Sequence, residues 1–175
     1  RFPRSGGGTV TIPNTQRARS PSISPDGRWL AYGIGVSQQE RERLEKSNQP
    51  VRSKLGIVDL RAGTTTVVDN VAGFDFSGDS RFITMRGYPV REKKSKGVDL
   101  VVRDLARRTD MNFGNVATHG WQDRGALLAM IIDADNRAGN GVQLYDAASG
   151  VLRVLESDTA EYTGLTWRKR SADLA

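Results

Sequence analysis

Short apolar runs broken by turn residues set the pattern of this chain. Ser22-Ile23-Ser24-Pro25-Asp26-Gly27-Arg28-Trp29-Leu30-Ala31-Tyr32 reads as a short strand, a tight turn and a longer strand. Pro25 pre-sets its φ for the turn, Asp26 can bond its own backbone, and Gly27 accepts the exit geometry. Trp29 to Tyr32 then form an aromatic, apolar run suited to a buried strand.

The hairpin recurs. Aligned on the large apolar residue that ends each short first strand, Ile23, Phe76, Trp121 and Trp167 follow one another at intervals of 53, 45 and 46 residues. The turn after each keeps its role: Pro25-Asp26-Gly27, Gly78-Asp79-Ser80, Asp123-Arg124-Gly125 and Arg168-Lys169-Arg170-Ser171. A second strand follows each time, at Trp29–Tyr32, Phe82–Met85, Leu127–Met130 and, truncated, Asp173–Ala175. A second hairpin repeats as well. Gly56–Leu60 leads to Thr64–Val68, Leu100–Leu105 to Thr109–Met111, and Val142–Asp146 to Val151–Leu155. Within it an aspartate recurs at 59, 104 and 146, placed to bond turn amides. Gly63 and Gly150 stand where a short loop wants positive φ.

A repeat of about 45 residues holding two hairpins is the pattern of a four-stranded propeller blade. The predicted fold is therefore all-β: a partial, open β-propeller with three complete blades and a part blade at each end. Residues 1–19 end a preceding blade, with Gly6-Gly7-Gly8 and Thr9–Ile12 as its last turn and outer strand. Blades follow at 20–70, 71–116 and 117–160, and 161–175 begin another. Three blades cannot close a ring. Unpaired strand edges and self-association are expected of the isolated chain. The long connections all fall between the second and third strands of a copy, at 37–54, 89–97 and 133–140. On the first of these, Ser37-Gln38-Gln39-Glu40 fits a capping box and Glu42 and Lys46 stand four apart. A short helix through about Ser47 follows, stopped by Asn48 and Pro50. Only Leu44 is apolar inside it, so it has no core-facing stripe. These loops share one polar rim with the connections between blades, the face expected to make contacts.

Composition changes this picture little. A formal charge of +6 raises the question of nucleic acid, but the basic residues are scattered and no aromatic–basic RNA-binding motif occurs. No nucleic-acid partner is assigned. No run of 18 apolar residues exists, so no membrane span is predicted. Cysteine is absent, which removes disulfides and thiolate metal sites. The chain starts at Arg1 without a signal-peptide pattern and reads as a piece of something longer.

The search for catalytic chemistry assigns no catalytic, cofactor-binding or metal-binding residue. His119, the sole histidine, is the only neutral-pH base and reads as structural. Gly-x-Ser-x-Gly is absent; Gly35-Val36-Ser37-Gln38-Gln39 lacks the last glycine, and Ser37 serves as a helix cap. Gly33-Ile34-Gly35 and Gly139-Asn140-Gly141 lack the third glycine of a dinucleotide loop. Asp133–Gly139 hints at a calcium loop, but Arg137 fills a ligand position and no Glu closes it. Trp29, Trp121 and Trp167 recur with the blade period, which assigns them to packing. No peptidase activity is expected of these 175 residues.

Ser24–Tyr32 resembles the repeat of TolB-like propellers, which also builds the propeller of the prolyl oligopeptidase family of serine peptidases. Several stretches are most similar to the amino-terminal propeller of bacterial exported members of that family. They are Leu30–Ser37, Lys54–Gly56, Phe113-Gly114-Asn115-Val116, Ala138–Leu144 and Tyr162–Arg168. The resemblance implies an exported parent in which the propeller gates peptide substrates and is covalently linked to an α/β-hydrolase domain carrying the Ser-Asp-His triad. No triad motif matches any position of this chain, so no catalytic residue carries over. The alternative is a TolB-like module that binds protein partners on one rim.

Overall fold

The computed structural model describes residues 2–3, 9–10, 21–90 and 95–175. At the amino terminus, β1 (Phe2–Pro3) pairs antiparallel with β2 (Thr9–Val10). The glycine turn expected at 6–8 lies outside the described residues, as do Thr11 and Ile12. The chain divides into two compact units, 1–73 and 74–175.

The first unit holds a four-stranded antiparallel sheet in sequential order. Its strands are β3 (Ser22–Ile23), β4 (Trp29–Ile34), β5 (Lys54–Asp59) and β6 (Thr64–Val68). The β3–β4 turn closes as its sequence dictates. Gly27 N donates to Ser24 O at 2.8 Å, and Gly27 has φ +71°. Asp26 accepts from the Ser24 hydroxyl at 2.6 Å and from Arg28 N at 3.0 Å. Buried Ser24 Oγ in turn accepts from Trp29 N at 2.9 Å, so one hydroxyl ties the turn to the next strand. Leu30, Tyr32 and Val58 form the core of this sheet. Tyr32 lies opposite Gly56, where an added Cβ would sit 2.4 Å from the ring. The missing side chain is what lets the ring lie flat across β5.

Between β4 and β5, α1 (Gln38–Lys46) forms where the capping signal placed it. Ser37 accepts from Glu40 N at 3.2 Å, and the helix ends at Ser47 with Asn48 in the left-handed region. None of its residues is buried. Two details differ from the expected pairs. Glu40 is held by Arg43 at 2.8 and 3.0 Å, and Glu42 accepts from Gln38 at 3.0 Å. Both are i, i+3 or i, i+4 neighbours on the helix surface, where side chains one turn apart meet.

The second unit is a seven-stranded antiparallel meander: β7 (Gly73–Phe76), β8 (Phe82–Arg86), β9 (Val98–Asp104), β10 (Thr109–Trp121), β11 (Leu127–Ile132), β12 (Gly141–Asp146) and β13 (Val151–Ser157). Seven strands serve two four-strand sets because β10 belongs to both. Thr109–Phe113 pair with β9, while Thr118–Trp121 pair with β11. The change of partner is made between Phe113 and Thr118: the β9 register shifts between Phe113 and Val116, the β11 register between Val116 and Thr118, and Asn115 takes φ +58°. A bulge of this kind turns a strand without breaking it. The layer between the two sets contains Leu100, Leu128 and Met130, all 0% exposed, with Phe113 edge-on to Tyr145 at 4.8 Å. Each such aliphatic side chain contributes about 1.5–3 kcal/mol by leaving water. After β13 the chain closes one further hairpin through the Trp167–Leu174 bridge.

The repeat intervals are visible as repeated bonds. Ser77, Asp79 and Phe82 reproduce Ser24, Asp26 and Trp29 at a spacing of 53: Ser77 Oγ bonds Asp79 at 2.6 Å and accepts from Phe82 N at 3.0 Å. Asp59, Asp104 and Asp146 each accept from the two amides two and three residues on. Gly63 and Gly150 have φ of +69° and +75°, and Arg108 takes the same left-handed place at +58°. The indole N–H of Trp121 donates to Asp75 O at 3.3 Å and that of Trp167 to Gly120 O at 2.8 Å, so these two are true repeats. Trp29 is a correction: it opens β4, in register with Phe82 rather than with Trp121. Its indole is buried, with the Arg28 guanidinium 4.8 Å above the ring.

Candidate functional site: a polar cleft on the long-loop rim

In the second unit the β8–β9 and β11–β12 connections meet at one rim, together with the β10 bulge and the segment after β13. Backbone geometry brings them there. Gly97 sits where a Cβ would lie 2.3 Å from Asp133 O and 2.5 Å from Asn115 O, so only glycine passes between those carbonyls. Asp133 N donates to Asn115 O at 2.8 Å, pinning the β11–β12 loop to the bulge.

Asn140 is the keystone. It is 1% exposed, accepts from Ala134 N at 2.8 Å and donates to Ala160 O at 3.1 Å. One buried amide therefore shapes the 133–140 loop and ties it to the chain beyond β13. Asp133 accepts from Lys96 N at 2.7 Å, and Asp135 accepts from Ser95 N at 3.2 Å. Lys96 Nζ pairs with Glu161; that hydrogen bond, then the pair's attraction, raises the lysine's pKa. Asn136 and Arg137 both take left-handed backbone at φ +65° and +59°. The result is a cleft of about 350 Å³ lined by Ser95, Lys96, Asp133, Asp135, Arg137 and Glu161 among others. The Ser95 hydroxyl is turned inward with no protein partner among the described residues. This volume lies at the small end of ligand-sized sites. The lining of carboxylates, a lysine, an arginine and amides can take up a polar or zwitterionic group by hydrogen bonding. It contains no nucleophile paired with a base.

The sequence-singled residues fall elsewhere. His119 lies on β10 with its side chain 11% exposed, and Nε2 stands 3.6 Å from Asp75 Oδ2, beyond hydrogen-bond reach. Ser37 Oγ is engaged as the helix cap in the first unit. The Asp133–Gly139 loop directs Asp133 and Asp135 at amides, and among the described residues no cluster of three potential metal ligands forms. No helix among them is long and apolar enough to cross a membrane. Ser95 and Asn140 escaped the sequence reading. In sequence Asn140 stands between Gly139 and Gly141 at the end of the 133–140 connection, and nothing local marks it as buried.

Four-stranded antiparallel sets at a period of about 45 residues, each stapled by an Asp turn, define a propeller-type repeat protein. The solved structures to which the chain is similar carry that fold. The β-propeller domain of the Trilobed protease from Pyrococcus furiosus superposes with a TM-score of 0.61 and 13% identity, over 91% of this chain and 48% of that one. The acylaminoacyl peptidase of Pyrococcus horikoshii gives 0.53 at 13% identity, over 87% and 26%. A eukaryotic initiation factor gives 0.50 at 14%, over 86% and 35%. The chain thus spans about half of the first of these and about a quarter of the peptidase. No protein-family model and no curated protein sequence matches it. The fold is that of a β-propeller segment.

Proposed function

We propose that this chain is the non-catalytic propeller part of a serine peptidase of the prolyl oligopeptidase type, acting as substrate gate and scaffold for a covalently linked α/β-hydrolase domain. The parent works outside the cytoplasm on peptides. The observation that carries this reading is the superposition on peptidase propellers, which extends over nearly the whole of this chain and only a fraction of theirs. The polar cleft at the long-loop rim suits a gate, since it offers amide and charged groups to a passing peptide without chemistry of its own.

The test is made on the complete protein encoded around this segment. A Gly-x-Ser-x-Gly within a strand–turn–helix pattern, and labelling of that serine by a fluorophosphonate probe, are the expected results. A complete protein that ends in a closed ring with no hydrolase domain and no labelling overturns the peptidase reading. That outcome would favour the second reading, a TolB-like protein-binding module. The likeness to an initiation factor is the observation behind it, because it sets the same strand arrangement in a protein not described as a peptidase.

A further inference from the structure

The second unit has a second rim, opposite the cleft along its strands, made of the short turns. Their contiguity is shown by hydrogen bonds that link turn to turn. Leu105 N donates to Arg81 O at 2.9 Å, Asp79 N to Gly125 O at 3.2 Å, Ala147 N to Ala126 O at 3.0 Å, and Gln122 Nε2 to Ser171 O at 3.0 Å. Five turns, 77–81, 104–108, 122–126, 146–150 and 168–173, thus form one ledge, although its ends are far apart in sequence.

The ledge carries seven lysines and arginines against five aspartates. The two signs are not deployed alike. Asp79, Asp104 and Asp146 turn an oxygen to amides of their own turns, and Asp104 is buried. Asp173 faces Arg168 at 3.4 Å. By contrast Arg108, Arg124, Lys169 and Arg170 are exposed and hold no ion pair among the described residues. Asp123 is exposed and, among the described residues, is the one aspartate of the ledge not engaged in this way. The repeat explains the asymmetry: Asp79, Asp104 and Asp146 are needed to close their turns, and the four free cations occupy positions the turns leave open. The scattering of basic residues along the sequence is therefore misleading, because the antiparallel meander gathers them.

We infer that this ledge docks a carboxylate-rich segment of a partner protein. Arginine forks match carboxylates in pairs, and interleaved aspartates fix register with a mixed polypeptide. A uniform phosphate chain fits less well. Aspartates stand among the cations, and the five turns contain no aromatic residue for bases to stack on. The neighbouring Phe82 ring is covered by the Arg81 guanidinium at 5.0 Å.

The probes are a fluorescein-labelled Glu-rich peptide and a labelled DNA duplex, titrated by anisotropy at physiological salt. The triple variant Arg124→Glu, Lys169→Glu, Arg170→Glu is expected to weaken peptide binding roughly tenfold or more, a loss of about 1.4 kcal/mol, because three attracting cations become repelling carboxylates. A control with the same net charge, Lys46→Glu, Arg61→Glu, Arg153→Glu, is expected to change it less than threefold. Urea melts establish that both variants are folded. Equal losses in the two triples, or no measurable peptide binding, would overturn the inference. DNA bound more tightly than the peptide would also overturn it, and would assign the ledge to nucleic acid.

Discussion

Replacing Ser77 by alanine tests whether a buried hydroxyl is the element that makes this hairpin repeat. Ser77 is 0% exposed. Its Oγ accepts from Phe82 N at 3.0 Å, donates to Asp79 at 2.6 Å and lies 3.2 Å from Phe82 O. A hydroxyl has one proton, and the shorter bond to a carboxylate takes it. Alanine then leaves the Phe82 amide buried without a partner, which costs about 1–3 kcal/mol. Asp79 is exposed, so water replaces most of what it loses, and the hydroxyl leaves little volume behind. The expected loss is about 2 kcal/mol, nearly all from the amide. In urea melts followed by tryptophan fluorescence this lowers the midpoint by roughly 1–2 M at unchanged slope. Ser24→Ala should cost a similar amount in the first unit, where Ser24 bonds Trp29 N at 2.9 Å. Gln122→Ala, at the corresponding place in the third copy, leaves no buried amide unpaired and should cost less, about 0.5–1 kcal/mol for the half-buried bond to Ser171 O at 3.0 Å. A loss below about 0.5 kcal/mol for Ser77→Ala, or an equal loss for Gln122→Ala, would refute the reasoning.

Arg108→Gly should stabilise the second unit by about 0.5–1 kcal/mol, because its left-handed backbone is one the equivalent Gly63 and Gly150 adopt without strain; a urea midpoint that falls instead would contradict this. Gly97→Ala should cost about 1–3 kcal/mol and open the cleft, since the carbonyls a Cβ would strike are backbone and cannot swing away; the checks are the same melt and the amide chemical shifts of Lys96 and Asp133. At Asp59 burial opposes charge, but the Ala62 amide, the Arg28 guanidinium at 3.0 Å and the Arg61 amide outweigh it, so its carboxyl lies below its ordinary pKa of 3.8. A carboxyl lowered on folding stabilises the fold above that ordinary value, and the stabilisation is lost as pH falls from there through the lowered value. Asp59→Asn should therefore flatten the acid limb of the stability curve in that window, and an unchanged acid limb would exclude the effect.

Most of the fold was legible in the sequence because the turns are chemically explicit. Pro25-Asp26-Gly27, the aspartates at 59, 104 and 146, and Ser37 as a cap each act through neighbours a few residues away, so spacing alone assigned them. What escaped reading acts across the sheet. The sharing of β10 depends on a bulge at Gly114-Asn115, and in sequence that pair looks like any other turn signal. The second-strand alignment places Trp29 with Phe82, and grouping it by residue type with Trp121 and Trp167 obscured that register. The cleft was invisible because its parts come from three connections and are held by one buried amide, Asn140. The short-turn ledge was missed for a like reason, as only strand pairing brings Arg108, Arg124 and Arg170 to one side.

The continuity of β10 also says how the second unit should yield under load. Strands in separate blades can peel away one blade at a time, each with its own opening free energy. Here a single backbone runs from the ladder with β9 into the ladder with β11, and the kink between them is held by Gly97 and by the Asp133 amide on the Asn115 carbonyl. Tension or thermal opening that enters at one end of this strand is handed across the kink to the other. Amides on both sides of Asn115 should then exchange with solvent as one cooperative block, and the two blades would share a single fate in unfolding.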